Sequence, residues 1–219
     1  MPRQLHQAPR EEQAITTGKT IHQARLYDLL GAILMLGRGP AMRERTIALA
    51  HLAPGESVLE VGCGTGEIAL RAKARLGPRG SVTGIDPSPE MIAVARLKAA
   101  RANLDVDYRV ASVEALPFAD ATFDVVLSSL MMHHLPEDLK PRALAEIRRV
   151  LKPGGRLLIV DLTEPTSRLA RLQPVWLIHR QLPSDVRDLP ELLEAAGFAA
   201  VEAGPTGFGY LGYVQGRAG

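Results

Sequence analysis

The sequence predicts an α/β fold: a doubly wound, mostly parallel sheet with helices on both faces and a helical cap ahead of it. Three observations point there. From residue 57 onward, short apolar runs alternate with helical stretches. The runs are near-continuously apolar, as expected of parallel strands covered on both faces. The first of them ends in a glycine cluster that opens directly into a helix.

The elements follow in order. Residues 1–19 are polar and aperiodic and predict no element. Ile21, Arg25, Leu29, Ile33 and Leu36 fall at helical spacing, "GRGP" breaks the run, and a second helix spans about Ala41 to Leu52. "SVLEVG" (57–62) is a strand, "EIALRAKARL" (67–76) a helix and "SVTGID" (81–86) a strand. "SPEMIAVARLKAARAN" (88–103) is a helix with Ser88 as N-cap and Pro89 in its first turn. "VDYRVAS" (106–112) and "FDVVLSS" (123–129) are strands. "PEDLKPRALAEIRRVL" (136–151) is a helix stopped by "KPGG", and "RLLIVDL" (156–162) is a strand. Residues 163–185 read as a loop or short helical excursion. "DLPELLEAAGF" (188–198) is a helix ending at Gly197, and "AAVEAGPTG" and "GYLGYVQGR" are two late strands, paired antiparallel at the sheet edge. The organisation predicted is one domain over 1–219. It comprises a tail and helical cap (1–52), a ligand-binding core (53–162), and an insertion followed by a helix and strands (163–219).

Composition narrows the function. Hydrophobic residues make up 46% and charged residues 23% of the 219, ordinary for a soluble globular protein. The net charge of +2 makes no electrostatic case for nucleic acid, and aromatics at 4% are too sparse for base-stacking platforms. A single cysteine, Cys63, precludes an internal disulfide and suits a reducing compartment. The first residues lack the apolar core of a signal peptide, and Leu26 to Leu36, interrupted by Asp28, is too short to span a membrane. The expected location is the cytoplasm. The histidines show no metal-binding spacing, so no metal is expected.

The chemistry centres on "VLEVGCGTGEIAL". Gly62, Gly64 and Gly66 follow a strand and open a helix, so the backbone turns sharply and approaches a ligand without an intervening Cβ. The helix N-terminus adds free amides and positive potential. A dinucleotide fingerprint needs a third glycine at 67, where this chain has Glu67. Asp86 closes the second strand, where a carboxylate can hold both hydroxyls of a ribose.

"LEVGCGTG", "VTGID", "ALPFADATFDVVLSS" and "EIRRVLKPGGRLLIVD", in that order over residues 57–162, resemble the successive motifs of class I S-adenosylmethionine-dependent methyltransferases. In detail, including "YDLLGAILMLGRGPAMR", the chain is similar to the branch of ubiquinone/menaquinone-biosynthesis C-methyltransferases and phospholipid N-methyltransferases. The resemblance implies a Rossmann-like, seven-stranded sheet with its last strand antiparallel, and S-adenosyl-L-methionine as cofactor. It implies that Glu60 and the backbone of Gly62, Cys63, Gly64, Thr65 and Gly66 hold the methionyl end, with the Thr65 hydroxyl on the carboxylate. Asp86 would take the ribose, and Pro87 and Met91 the adenine. For Met91 a plain core position is an equal alternative. The branch carries an Asp after the third strand; here Ser112 stands there. A hydroxyl accepts the adenine amino hydrogen without charge assistance, so recognition leans more on the Val113 N–H. Glu114 reads as a solvated or helix-start charge rather than a ligand. Ser128 and Ser129 would close over the methionyl part, and Tyr27 joins the cofactor set from the cap.

The fourth strand ends at "LSSLMMHH", which should lie beside the transferable methyl. Methyl transfer from a sulfonium needs alignment and desolvation, and an acceptor bearing a proton also needs a base. His133 is the first candidate and His134 the second, weighed against a capping or packing role. In the superfamily that the chain resembles, the amino-methyltransferases acting on adenine, cytosine or glutamine carry Asn/Asp-Pro-Pro-Tyr/Phe at this strand end; the "SSLM" here implies that nucleobases and glutamine side chains are not the substrates. Tyr27, Leu30, Met35, Met131, Met132, Trp176 and His179 are candidate pocket residues, and an apolar pocket would suit a small hydrophobic acceptor. The rivals are a phospholipid N-methyltransferase in peripheral membrane contact through "LLGAILMLGRGPAMRER", a non-catalytic protein of the same fold, and a nicotinamide dehydrogenase, which the glycine spacing disfavours. Oligomeric state is open at this level.

Overall fold

A computed structural model describes residues 35–165, 167–168, 170–172 and 185–219. In chain order the elements are α1 (Gly39–Leu49), β1 (Ser57–Val61), α2 (Glu67–Leu76), β2 (Ser81–Asp86), α3 (Pro89–Ala102), β3 (Asp107–Val110), β4 (Phe123–Ser129), α4 (Lys140–Val150), β5 (Leu151–Leu162), α5 (Leu189–Ala195), β6 (Phe198–Pro205) and β7 (Leu211–Ala218). One-turn 3₁₀ helices sit at Met132–His134, Ala170–Leu172 and Val186–Asp188.

The seven strands form one sheet in the order β3-β2-β1-β4-β5-β7-β6. β7 runs antiparallel to both neighbours; every other pairing is parallel. The chain winds outward from β1 to β3, then returns to lay β4 on the other side of β1. That reversal is where an open α/β sheet parts to admit a ligand. The late strands pair antiparallel at the edge, as the sequence predicts, but β7 inserts between β5 and β6.

Two apolar layers sandwich the sheet. Val58, Val82, Val125, Leu127, Leu158 and Val160 pack under Ile47 of α1, Ile68 and Ala72 of α2 and Ile92 and Ala95 of α3. Leu59, Val61, Val126, Leu157 and Ile159 pack under Leu144 and Ile147 of α4 and Leu193 of α5. Neighbouring residues of one strand thus serve opposite layers, which is why these strands read as unbroken apolar runs. A third, smaller cluster gathers Met35, Met42, Leu162, Phe208, Tyr210 and Leu211 beyond the carboxyl end of β5.

Helix ends follow local chemistry. The Ser88 hydroxyl accepts from the Met91 N–H at 3.3 Å and Pro89 opens α3, as expected from the sequence. Two boundaries differ. α4 starts at Lys140 rather than 136, because Pro136–Leu139 closes a separate turn through Leu139 N–H to Pro136 C=O at 3.0 Å. "KPGG" does not separate α4 from the next strand. It lies within β5, looped out between the pairs Phe123–Leu151 and Val125–Arg156.

The predicted helix over 20–36 lies outside the described residues apart from its end, as do Tyr27, Leu30, Trp176 and His179. No described helix is long and apolar enough to cross a membrane. No described group of His, Cys, Asp and Glu is placed to hold a metal ion.

Candidate active site

The carboxyl ends of β1, β2, β3, β4 and β5 carry the polar side chains that matter. β1 leads into the glycine loop, whose three glycines all have positive φ: 68° at Gly62, 51° at Gly64 and 80° at Gly66. At Gly62 a Cβ would fall 2.3 Å from Met131 Cγ, and at Gly66 it would fall 2.3 Å from the Tyr108 hydroxyl and 2.9 Å from Ala95 Cβ. A Cβ at Gly64 would meet nothing within 4 Å. The loop is therefore clamped at both ends and open in the middle.

The clamps are specific. Tyr108 donates its hydroxyl to the Gly66 carbonyl at 3.0 Å, and burial pushes its phenol up. The Cys63 N–H donates to Ile85 C=O at 2.9 Å, joining the loop to β2. Asp86 accepts from the Gly64 N–H at 3.0 Å through one oxygen and from the Ser88 N–H at 2.9 Å through the other. Burial raises the Asp86 carboxyl against these two opposing bonds.

Glu60 is buried and accepts from the Ala69 N–H, in the first turn of α2, at 2.8 Å. Its carboxyl is pushed well above the ordinary range, chiefly by burial, with Asp86 adding repulsion. Cys63 is buried and its thiol is likewise pushed well up by burial. Thr65 is buried, and its hydroxyl accepts from Lys98 Nζ at 3.0 Å. Lys98 also binds Glu67 at 2.8 Å; burial alone would raise Glu67, but Lys98 and Arg71 hold it down to about 2.

Past β3, Ser112 is buried in a turn closed by the Ala115 N–H on Ser112 C=O at 3.3 Å. The hydroxyls of Ser112 and, on β4, Ser128 are buried without a hydrogen-bond partner among the described residues. Buried hydroxyls are rarely left so, and both stand at the edge where the loop opens. Val113 and Met91 are buried, while Pro87 and Ser129 are half-buried. Glu114 is not the solvated charge that the sequence suggests. It is buried, and its carbonyl accepts from Arg142 Nε at 3.0 Å.

After β4 the chain turns at Leu130, whose φ is 54° and whose N–H donates to Val160 C=O at 2.9 Å. Met131 packs on Gly62 and so brings the Met132–His134 turn against the glycine loop. Met132 is fully buried in the layer under α4, a core residue rather than a pocket wall. Met35 belongs to the small cluster beyond β5. The two histidines differ: His133 is buried and His134 half-buried, their ring centroids 4.0 Å apart. His133 Nδ1 lies 2.5 Å from Asp161 Oδ1, near the end of β5. Asp161 escaped the sequence reading, although it is the lone charge in the apolar run 157–163 and ends the last of the four motifs.

These features match known proteins. A methyltransferase-domain family covers residues 58–155. A demethylmenaquinone methyltransferase of Thermus thermophilus is 36% identical over 187 residues, covering 81% of this chain and 83% of that protein. The chain belongs to the class I S-adenosylmethionine-dependent methyltransferases. An arsenite methyltransferase of Halobacterium salinarum is 38% identical over 179 residues, covering 80% of this chain and 44% of that protein. The chain likewise spans only about three-fifths of the length of two further demethylmenaquinone methyltransferases. A crystal structure of a SAM-dependent methyltransferase from Aquifex aeolicus superposes with a TM-score of 0.69 at 23% identity, covering 91% of this chain and 100% of that one. The family implies S-adenosylmethionine as methyl donor. The open flank of Gly64, the Asp86 carboxylate and the two unpartnered serine hydroxyls suit a ligand with a ribose and several polar ends.

Proposed function

We propose that this chain methylates a small hydrophobic acceptor, and that His133 takes the proton which the acceptor loses. One arrangement carries the reading. The open flank of Gly64 and the Asp86 carboxylate stand on one side of the β1–β4 reversal, and Met131 draws His133 in from the other. S-adenosylmethionine, when bound, supplies an electrophilic methyl group on a sulfonium.

The chain's own residues do the rest. Asp86 holds the ribose hydroxyls, and Pro87 and Met91 flank the adenine. Ser112 accepts from its amino group, with the Val113 N–H beside it. Glu60, through the loop Gly62–Gly66, favours the cationic end of the methionyl part, since a buried carboxyl pushed well up is relieved by a positive neighbour. The Ser128 hydroxyl meets the same part, with Ser129 next to it. The Thr65 hydroxyl, accepting from Lys98, donates its own hydrogen to the methionyl carboxylate. At His133, one imidazole nitrogen accepts the proton as the acceptor attacks.

The acceptor reading rests on two features. The buried cluster of Met35, Met42, Leu162, Phe208 and Tyr210 makes the ground beyond the same carboxyl edge apolar. Arsenite, a soft acceptor, would call for thiolates. These 219 residues supply one thiol, Cys63, which is buried and pushed well up. A quinol or phenolic carbon or oxygen acid is the favoured acceptor class.

The test uses S-adenosylmethionine labelled on the methyl, with quinols, simple phenols, phospholipid vesicles and arsenite as acceptors. Label should pass to a quinol or phenol. Transfer only to vesicles would install the phospholipid reading instead, and calorimetry without cofactor binding would leave a non-catalytic protein. His133→Ala should bind cofactor within about threefold of wild type and lose about a hundredfold or more in turnover, the scale of a lost general base. Unchanged turnover would make His133 a packing residue.

A further inference from the structure

We infer that Asp161 is a positioning residue: it holds His133 as the Nδ1–H tautomer and so presents Nε2 as the proton-accepting nitrogen. The inference rests on the reading of His133 as base and adds a residue 28 positions away that nothing in the local sequence joins to it.

The geometry is that of one carboxylate collecting three donors. His133 Nδ1 lies 2.5 Å from Asp161 Oδ1, and the Leu162 N–H donates to the same oxygen at 2.7 Å. The backbone N–H of His133 donates to Oδ2 at 3.2 Å. A carboxylate has acceptor sites for all three and no proton to offer. Facing it, the imidazole nitrogen Nδ1 must be the one bearing hydrogen. In a neutral ring the lone pair then resides on Nε2. Both side chains are buried, so water does not compete for either nitrogen–oxygen contact.

The backbone contacts matter as much as the ring contact. Because the same carboxylate grips the main chain at His133, the ring cannot keep its place while the turn shifts. The turn is further tied to β5 through Leu130 N–H on Val160 C=O. β5 thus carries both the tether and the orienting acid. Asparagine cannot replace the acid. With its oxygen at the Oδ1 position, its amide hydrogens oppose the His133 N–H. With the oxygen at Oδ2, they oppose the Leu162 N–H and demand an acceptor at Nδ1, which puts the ring hydrogen on Nε2.

The carboxylate fixes the ring tautomer whether or not Nε2 acts as a base, so the tautomer tests the geometry, and a loss in kcat without a matching change in KM or cofactor affinity tests the positioning role. The test is long-range ¹H–¹⁵N correlation on the full chain labelled with ¹⁵N-histidine at about pH 8, above the ordinary imidazole range. The spectrum of His133→Gln assigns the ring among the six histidines. Wild type should show His133 protonated at Nδ1 and bare at Nε2. A ring protonated at Nε2, or at both nitrogens, overturns the assignment, and this needs no variant of Asp161 and no acceptor. In Asp161→Asn, kcat should fall about tenfold or more with cofactor affinity and acceptor KM within about threefold. The double variant with His133→Ala should be no slower than His133→Ala alone; additive losses would show Asp161 acting independently of the ring. A wild-type rate in His133→Ala overturns the base reading alone and is told apart from a wrong tautomer by the same spectra.

Discussion

The two halves of the carboxyl edge are built on different principles. On the β1–β3 side, the glycine loop, Asp86 and Tyr108 are bound to one another by backbone contacts: Gly64 N–H to Asp86, Tyr108 to Gly66 C=O, Cys63 N–H to Ile85 C=O. On the β4–β5 side, a buried histidine meets a buried aspartate across two strands, with apolar residues around them. The first half is a backbone shape that tolerates few residues. The second is a pair of side chains that exists only if the register is right. A cofactor common to a whole family suits the first construction, whereas acceptors that vary suit the second.

The largest expected effect tests the first half. Gly66→Ala forces a Cβ into Tyr108 and Ala95 at a φ of 80°. Overpacking and left-handed backbone strain each cost about 1–3 kcal/mol. Thermal denaturation should show Tm down by about 10 °C, with cofactor binding lost. A stable variant that binds normally would mean the loop is not clamped. Next, Asp86→Ala should weaken cofactor binding about ten- to a hundredfold, the scale of one or two charge-assisted hydrogen bonds, with turnover at saturating cofactor much less affected. Calorimetry beside initial rates would reveal the split. If kcat fell as far as affinity, the division of labour between the halves would be wrong.

The smallest effect concerns pH. The Glu60 carboxyl is raised above its unfolded value of 4.5, so its ionised form is disfavoured by folding. The stability tied to it is present below that value and is lost as pH rises through the folded pKa. Glu60→Gln removes this loss. The ligand-free variant should therefore gain on wild type in Tm from pH 5 to 8 by a few degrees, while binding S-adenosylmethionine less well. A gap that stays flat with pH would show that Glu60 is not the strained acid.

The same contrast explains what was legible in the sequence. Gly62, Gly64 and Gly66 declare themselves because each needs a positive φ beside a strand end. Ser88 and Pro89 mark the start of α3 by capping chemistry that spans four residues. The strands are legible as apolar runs because both sheet faces are covered. Asp161 is not, because its partner is set by how β4 and β5 align, and alignment leaves no local signature. Glu114 misleads for a related reason: a charged residue after a strand normally faces water, but here it is buried where Arg142 of α4 reaches its carbonyl, a long-range contact. The order β5-β7-β6 is equally hidden, since two antiparallel strands satisfy the same pattern in either position.

The looped-out "KPGG" at the start of β5 has a consequence for how this chain can change. Upstream of Arg156 the pairing with β4 is already interrupted, so an inserted or deleted residue there is absorbed by a bulge. From Arg156 pairing is continuous with β4 as far as Val160 and with β7 as far as Leu162, and a one-residue slip would turn Asp161 to the opposite face of the sheet. Length variation among descendants of this chain should therefore accumulate at 152–155 and be purged from the seven positions that follow. The tolerant stretch acts as an expansion joint, letting the outer part of the fold vary in length while the aspartate stays in phase.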